Sequence, residues 1–563
     1  MKYSELEHVE GESSEQTLSE EAPEEGCMQI QEMNKRGGWK AFPYIIGSEM
    51  GLSLASTGWG CNLTVYLITV FNIKSIRATQ ISSIVSGSSF LFPIAGAILA
   101  DSFLGSFSVI TIFSIISLLG MILITLTASV NFFHPPPCTN ASLVALYTGI
   151  ALASLGAGGT GITVATMGAD QFQNDHDKNI FFNWYFVISY ACIACSSTVV
   201  VYIQDKINWG LGFGVCVAAN LTGFIVFLSG MRYYHHVKPK ESPFASIARV
   251  VVAAIMKRNA ARNNCYFYGS AELSRLNHGP TTDFSFLNNA ALKLESNNQS
   301  SDLLIEKRSW KHCTVEEVED LKTLLRIVPL WSSSILLSAT IGVFISLILL
   351  EALTMDKHFG KNFEVPAASF LTFNILSTCV SLSILDRLVF PWWKKLTGDH
   401  PTPLQRIGVG HLINIIALVG SAIVENQRLQ VVKKFHLDDQ PGSVVPMSAF
   451  WLGISLTIIG ISEALHYPGQ VAFYYQEFPE SLRNTATAMI SLIVGIGFYS
   501  SAVVIGLVRR ATDWLPDDIN AGRADYVYWI MAGIGMVNFA YYLICAKSFN
   551  YRAAVKINVH PVT

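Results

Sequence analysis

Charge is scarce in this chain. Charged residues make up 14% of it, and 38 Lys and Arg against 41 Asp and Glu leave a net of −3, too small to select an acidic or a basic partner. No basic tract interleaved with aromatics is present, which excludes a nucleic-acid footprint. Cysteine supplies no scaffold either. Most of the ten cysteines, such as Cys61, Cys192, Cys195, Cys216 and Cys379, fall inside apolar stretches, and Cys138 alone lies clearly in a loop expected outside the cytosol. Cys192 and Cys195 have CxxC spacing on one helix, but no His, second pair or redox fold accompanies them, so they read as small apolar helix residues. GxSxG, Walker and metal-spaced His/Cys patterns are all missing. No enzyme, cofactor, metal site or ATP-driven pump is therefore expected.

What the chain does have is apolar length: hydrophobic residues are 51% of it, arranged as about twelve long runs at 41–71, 78–100, 107–131, 143–168, 181–203, 209–231, 324–352, 366–386, 405–425, 446–475, 484–508 and 526–547. Roughly 20 helical residues span about 30 Å of hydrocarbon, a length soluble domains have no use for. The fold class is an all-α polytopic membrane protein. An even number of spans places both termini on one side. Arg249, Lys257, Arg258, Arg262, Lys307, Arg308 and Lys311 between the sixth and seventh spans mark that side as cytosolic, as do Arg387, Lys394, Lys395, Arg406, Lys547, Arg552 and Lys556.

The expected organisation is an acidic, disordered cytosolic tail (1–38), a six-helix half (39–231), a cytosolic central loop (232–322), a second six-helix half (323–547) and a short cytosolic tail (548–563). The first tail has no apolar core of the signal-peptide kind, so the first span serves as insertion signal. Within the central loop, Phe244, Ile247, Val250, Val251, Ala254 and Ile255 recur at helical spacing beside Arg249, Lys257 and Arg258, which fits a helix on the inner membrane face or one packed on the bundle. Residues 265–310 show no period and are expected to form a mobile loop. An internal echo links the halves: Gly96 to Gly105, containing Asp101, follows the second span, and Asp386-Arg387, then Lys394-Lys395 and Gly398, follow the eighth. Each supplies an acidic residue, a turn and a Gly where two helices reverse. Such repeats build secondary transporters with a midplane cavity between halves.

Ionisable groups inside a membrane are costly and hence candidates for function. They are Glu49 in the first span, His411 in the ninth, and Glu463 with His466 in the tenth; Glu351 and Glu425 lie nearer the outer ends and are read as reaching water, and Asp101 and Arg326 sit at cytosolic helix ends. Glu463, flanked by Ile461 and Leu465, is desolvated unless its face lines a cavity, and such a carboxylate can exchange a proton near neutral pH. His466, one turn on, is its candidate partner. The alternative for Glu463 is a helix-packing clamp, and His411 reads as a packed histidine.

Several motifs then converge. Gly158-Gly159, Gly168-Ala169-Asp170-Gln171-Phe172, Phe181-Phe182-Asn183-Trp184-Tyr185-Phe186, Arg326-Ile-Val-Pro329-Leu-Trp331, Met355-Asp356, Leu404-Gln405-Arg406-Ile407-Gly408, Gly469-Gln470, Phe473-Tyr474 and Pro479-Glu-Ser-Leu-Arg483 occur in order. Together they resemble the plant nitrate transporter/peptide transporter family, in the proton-coupled oligopeptide branch of the major facilitator superfamily. The resemblance implies twelve transmembrane helices in two six-helix halves working by alternating access.

It also exposes departures. Where the family's first span carries ExxER, this chain reads Glu49-Met-Gly-Leu52-Ser53; Gly161 stands at the span-four Lys or Arg, Ile341 at a nitrate-binding His of one branch, and Val109, beside Ser108, at a regulatory Thr. Losing Arg and Lys removes the charges that would clamp a peptide carboxylate or balance Glu463. With Phe71-Asn-Ile-Lys74-Ser and Gly210-Leu-Gly-Phe-Gly-Val, these losses make the chain similar to the nitrate-excretion subgroup, whose members release nitrate or chloride across the plasma membrane. The resemblance implies efflux of a small anion, nitrate first, with weak or no proton coupling. The expected site comprises Glu463, Glu49, His466, Phe90, Tyr185 and Trp331, with Asp101, Asp386 and Arg387 as gating residues. Other relatives move glycosides or alkaloids, so a plant-metabolite carrier is the rival, and a transport-inactive receptor or assembly protein a third reading. Partners are the solute, protons and the bilayer. The plasma membrane is the expected location, the vacuolar membrane the alternative.

Overall fold

The structure is a computed structural model describing residues 37–130, 140–172, 174–235, 243–258, 280–281, 283–292, 313–438, 440, 442–478 and 486–549. Nearly all of the acidic tail, most of the 265–310 stretch, Cys138, Pro479–Arg483 and the final residues lie outside these.

Apolar length becomes helix wherever the chain is described. The first half contains α1 (Phe42–Cys61), α2 (Leu63–Thr69), α3 (Ser75–Leu99), α4 (Ser106–Ser129), α5 (Asn140–Ala169), α6 (Asp175–Cys195) and α7 (Trp209–Ser229). After α8 (Pro243–Met256), the second half contains α9 (Val315–Thr354), α10 (Thr372–Ile384), α11 (Phe390–Thr397), α12 (Pro403–Lys434), α13 (Leu452–Glu477), α14 (Ala486–Ala511) and α15 (Ala524–Ser548). Among the described residues eleven helical stretches are long and apolar enough to cross a membrane, and α1, packed along α7, with α2 after a break at Asn62 completes twelve spans in two halves. We call the side where the first span begins and the last ends the terminal face, and the other the far face.

Local chemistry sets the ends. Thr314 opens α9 with a capping box, its hydroxyl accepting from the Glu317 amide at 3.2 Å while the Glu317 carboxylate accepts from the Thr314 amide at 3.1 Å. Thr402 and Gln405 do the same for α12, ahead of Pro403 in its first turn. The Thr314 cap starts α9 nine residues before its apolar run, and α12 runs nine residues past the end of its own, so α9 reaches 40 residues and α12 reaches 32, each longer than its expected span. Near the far face, two short strands, Met355–Asp356 and Val445–Ser448, pair in parallel, and His358–Phe359 pairs antiparallel with Phe363–Glu364.

Of the two readings of α8, the structure shows packing on protein. Val250, Ala253 and Ala254 bury against Leu287, Ala290, Val315, Val318 and Leu321, while Val251 and Ile255 face outward. The Lys257 ammonium donates to the Ala290 and Leu292 carbonyls at 2.9 and 2.8 Å, fastening the end of α8 to the 285–292 segment.

The internal echo is only partly matched. Ala100–Leu104 and Leu385–Val389 are both π-helical turns, but the first ends in a reversal at Gly105, with φ of 76°, whereas the second runs on into α11 and reverses at Gly398, with φ of 87°. Asp386 and Arg387 are exposed there. Asp101 lies in the first turn, and its side chain is outside the described residues.

The halves meet along α3 and α14, and α6 also touches α10. At Gly87 a Cβ would lie 3.0 Å from the Gly495 carbonyl, so this close crossing needs a residue without a side chain. Cross-half contacts run from there to the far face. Ser88 meets Tyr499 at 2.6 Å, Gln80 donates to the Ala502 carbonyl at 3.2 Å, Ser83 meets Ser346 at 3.1 Å, and Ser197 meets Thr372 at 2.9 Å. At the rim, Lys206 pairs with Glu364 and Lys74 with Asp517, both at 2.6 Å. The far face is closed.

Candidate functional site

Glu49 lies on the inner face of α1 with 8% exposure. Both its oxygens are occupied: the Tyr185 hydroxyl donates to Oε2 at 2.7 Å and the Ser189 hydroxyl to Oε1 at 2.8 Å. Tyr185 and Ser189 are four residues apart, one turn of α6, so one helix face supplies both donors. The Tyr185 hydroxyl also lies 3.4 Å from the Gly161 carbonyl, while a Cβ at Gly161 would meet nothing within 4 Å. Open space thus borders the Glu49 cluster at the position where the resemblance implies a basic side chain.

Glu463, on α13, is half-buried and accepts from the Asn374 amide of α10 at 3.2 Å, with Thr378 alongside. Asn374 Oδ1 is itself buried without a partner. Tyr190 of α6 lies within electrostatic reach of Glu463 and Cys379. Helix α6 thus stands between the two carboxylates, touching Glu49 through Tyr185 and Ser189 and facing Glu463 through Tyr190.

The expected pairing of Glu463 with His466 is not present. Three residues on a helix turn through 300°, and here the offset separates two interfaces: Glu463 meets α10, whereas His466 is fully buried against α12, its ring 5.2 Å from that of His411. Trp331 is also displaced from the site. It packs edge-on to Tyr474 at 6.4 Å, and Tyr474 lies eleven residues, about 16 Å, down α13 from Glu463. Phe90 stacks on Phe498 at 5.9 Å across the seam between halves and is 39% exposed, a wall position.

Other departures have physical outcomes. Ile341 is 2% exposed inside the main apolar cluster, and Val109 is fully buried. Glu351 and Glu425 do not reach water, being 1% and 0% exposed. Arg428 explains Glu425: its guanidinium donates to both carboxylate oxygens at 2.6 and 2.8 Å and to Asn520 at 2.6 Å. Arg326 pairs with Asp283 of the central segment at 2.7 Å. Sequence reasoning missed Ser189, Asn374 and Tyr190, which carry no charge; the Tyr185–Ser189 spacing was the one available signal.

Residues 107–520 match the POT family model, designated PTR2. The chain belongs to the POT family. Among curated relatives it is 46% identical to Protein NRT1/ PTR FAMILY 2.7 of Arabidopsis thaliana over 527 residues, covering 92% of this chain and 93% of that protein. With Protein NRT1/ PTR FAMILY 2.3 of the same plant it shares 45% over 534 residues, 92% and 94% of the two chains. Among solved structures, an auto-inhibited POT family peptide transporter superposes with a TM-score of 0.70 at 18% identity, covering 93% of this chain and 99% of that one, and the POT family transporter PepTSo with 0.65 at 19%, covering 91% and 98%. These structures establish the fold, and the POT family makes the chain a multi-pass secondary transporter.

Proposed function

We propose that this POT-family carrier works by alternating access and releases nitrate or another small anion with low affinity and weak or no proton coupling. One observation carries the reading. The described partners of both cavity carboxylates are neutral, hydroxyls for Glu49 and an amide for Glu463, and open space stands at Gly161. Without a fixed cation there is no clamp for a peptide carboxylate. A proton on each carboxylate would leave a neutral, hydroxyl- and amide-lined passage that an anion can cross; Glu463 is the titrating switch, and Phe90 and Tyr185 are walls. Closure of the far face by cross-half contacts fits a carrier resting with its solute path turned to the terminal face, which we take to be cytosolic. The plasma membrane is the proposed location, ahead of the vacuolar membrane.

The same lack of fixed cations supports a second reading, a carrier of glycosylated or basic plant metabolites, for which the exposed aromatic faces of Phe90 and Tyr190 suit a partly apolar solute. Oocytes loaded with labelled nitrate or with a panel of plant glycosides, assayed at pH 5.5 and 7.5, separate the readings. Nitrate flux with little pH dependence supports the first, glycoside flux without nitrate flux the second, and absence of flux a receptor-like protein. Glu463→Gln abolishes whatever pH dependence exists; an unchanged profile removes the switch role.

A further inference from the structure

Behind the face that carries Glu463, α13 packs on α12, and α12 in turn on α15, through side chains unusual for a membrane interior. His466 is 0% exposed, Gln470 1%, His411 and Asn414 2%, and Asn538 3%. Both ring nitrogens of His466, Nε2 of His411, both amide atoms of Gln470, and Oδ1 of Asn414 and of Asn538 complete no hydrogen bond, although the Ile407 backbone lies near His466. Asn414 and Asn538 hold their amide nitrogens against α9, donating to Thr340 and to the Ser333 carbonyl, which leaves five such atoms on His411, His466 and Gln470 where α12 meets α13. Each left dry costs about 1–3 kcal/mol, so together they require something that hydrogen-bonds to them. Among the described residues no third His, Cys, Asp or Glu joins the two histidines to make a metal site, and imidazole and amide groups suit water.

The His411 and His466 rings lie 5.2 Å apart at 81°, His411 stacks on Tyr542 at 4.8 Å, and the Tyr542 hydroxyl donates to the Leu404 carbonyl at 2.6 Å near the start of α12. Gly410 admits His466, since a Cβ there would lie 2.9 Å from that of the histidine. By residue order Asn414 and Asn538 are deepest, and Gln470 lies nearest the terminal face. At the inner end, Tyr467 shares a helix face with Glu463 and meets the His466 ring at 5.3 Å.

We propose that this seam holds a file of water molecules and gives protons a route between Glu463 and the terminal face that bypasses the solute cavity, with His466 as its relay. The proposal rests on Glu463 exchanging protons. A proton leaving the Glu463 carboxyl passes by Tyr467 and water to one His466 ring nitrogen. The other nitrogen gives up its own proton toward Gln470, and the ring ends neutral in the opposite tautomer, resetting by a half-turn. The titratable groups facing His466 are His411 of α12, Tyr542 of α15 and Tyr467 of its own helix, with Arg406 at the terminal-face end.

Two measurements on the purified full-length protein in liposomes test this. X-ray radiolytic footprinting oxidises side chains beside bound water, and His466, His411 and Tyr542 should label at least tenfold faster than the equally buried Tyr66; labelling no faster than Tyr66 overturns the water file. Proton movement under an imposed pH gradient, read by entrapped pyranine, should slow at least tenfold in His466→Gln and in Gln470→Leu, with melting temperatures confirming that each variant folds. Unchanged proton movement in folded variants overturns the route. If His466→Gln slows it while Glu463→Gln does not, the water file stands and the switch at Glu463 falls.

Discussion

The far-face closure makes a quantitative prediction. Glu364→Gln removes the charge that meets Lys206 at 2.6 Å and Lys357 at 3.3 Å, and Asp517→Asn the charge that meets Lys74 at 2.6 Å and Arg509 at 2.7 Å. The Lys206–Glu364 side chains are about a third exposed or less, so that pair should contribute about 1 kcal/mol to closure; Lys74–Asp517 is more open and should contribute about 0.5 kcal/mol. The two sites lie on different loops and share no partner, so their effects add. The double variant should then shift the closed-to-open ratio by about 1.5 kcal/mol, roughly tenfold. Ser83, 3% exposed and bonded to Ser346 across the seam, is the reporter position. In a chain whose native cysteines are replaced by serine, a cysteine at this position should react about tenfold faster with an impermeant maleimide applied at the far face once both carboxylates are neutralised. An increase below twofold would refute the assignment of these pairs as the closure. The pH behaviour has a definite sign. Lys206 and Lys357 hold the Glu364 carboxyl below the ordinary range. Burial works against the Asp517 charge, but Lys74 and Arg509 outweigh it and hold that carboxyl low as well. Carboxylates so placed stabilise the closed form fully above their ordinary values and release it only as pH falls through the lowered ones. After division by the rate of the same maleimide with a free thiol at each pH, labelling of the otherwise unaltered reporter should therefore not change between pH 5.5 and 7.5.

Three further outcomes are expected. Tyr185→Phe and Ser189→Ala each remove one donor from the Glu49 carboxylate, worth about 1.5–3 kcal/mol for a bond to a charged group, so the neutral carboxyl is favoured and anion flux at pH 7.5 should rise severalfold in either with surface expression unchanged. Arg428→Leu leaves the buried Glu425 unpaired and should cost about 3–5 kcal/mol, seen as a lower melting temperature that Glu425→Leu on the same chain partly restores. Ser53→Arg alone should give no peptide uptake, because Leu52 and Gly161 still lack charge; peptide currents in that variant would refute the account of the missing clamp.

Hydropathy made the spans legible because bilayer thickness imposes one length on every helix, and it failed where helices outgrow the bilayer. The Thr314 and Thr402 caps, not apolarity, set the starts of α9 and α12. Charged residues were found by type but misplaced by partner. Glu425 and Arg428 stand three apart, an i,i+3 spacing that signals a buried pair, yet position near the span end suggested water. Likewise Glu463 and His466 share a turn but not a neighbour, since the choice between α10 and α12 depends on how the bundle is assembled. Ser189 and Asn374 left no trace because a hydroxyl or amide among apolar residues is common in membrane helices.

Forty residues make α9 a rod of about 60 Å, with Pro329 removing one backbone hydrogen bond along it. Its terminal-face end carries α8, packed on it through Val250 and Val318, and Lys257 ties α8 to the 285–292 segment beside it. That geometry is a lever arm. A tilt of about 10° pivoted at the far-face end of such a rod displaces the other end by about 10 Å, so the clasped segment sweeps a large arc each time the second half rocks. A fluorophore at the outward-facing Val251 would report each turnover as a change in distance to the first half. Any molecule that grips α8 would load the transport cycle mechanically without entering the solute path.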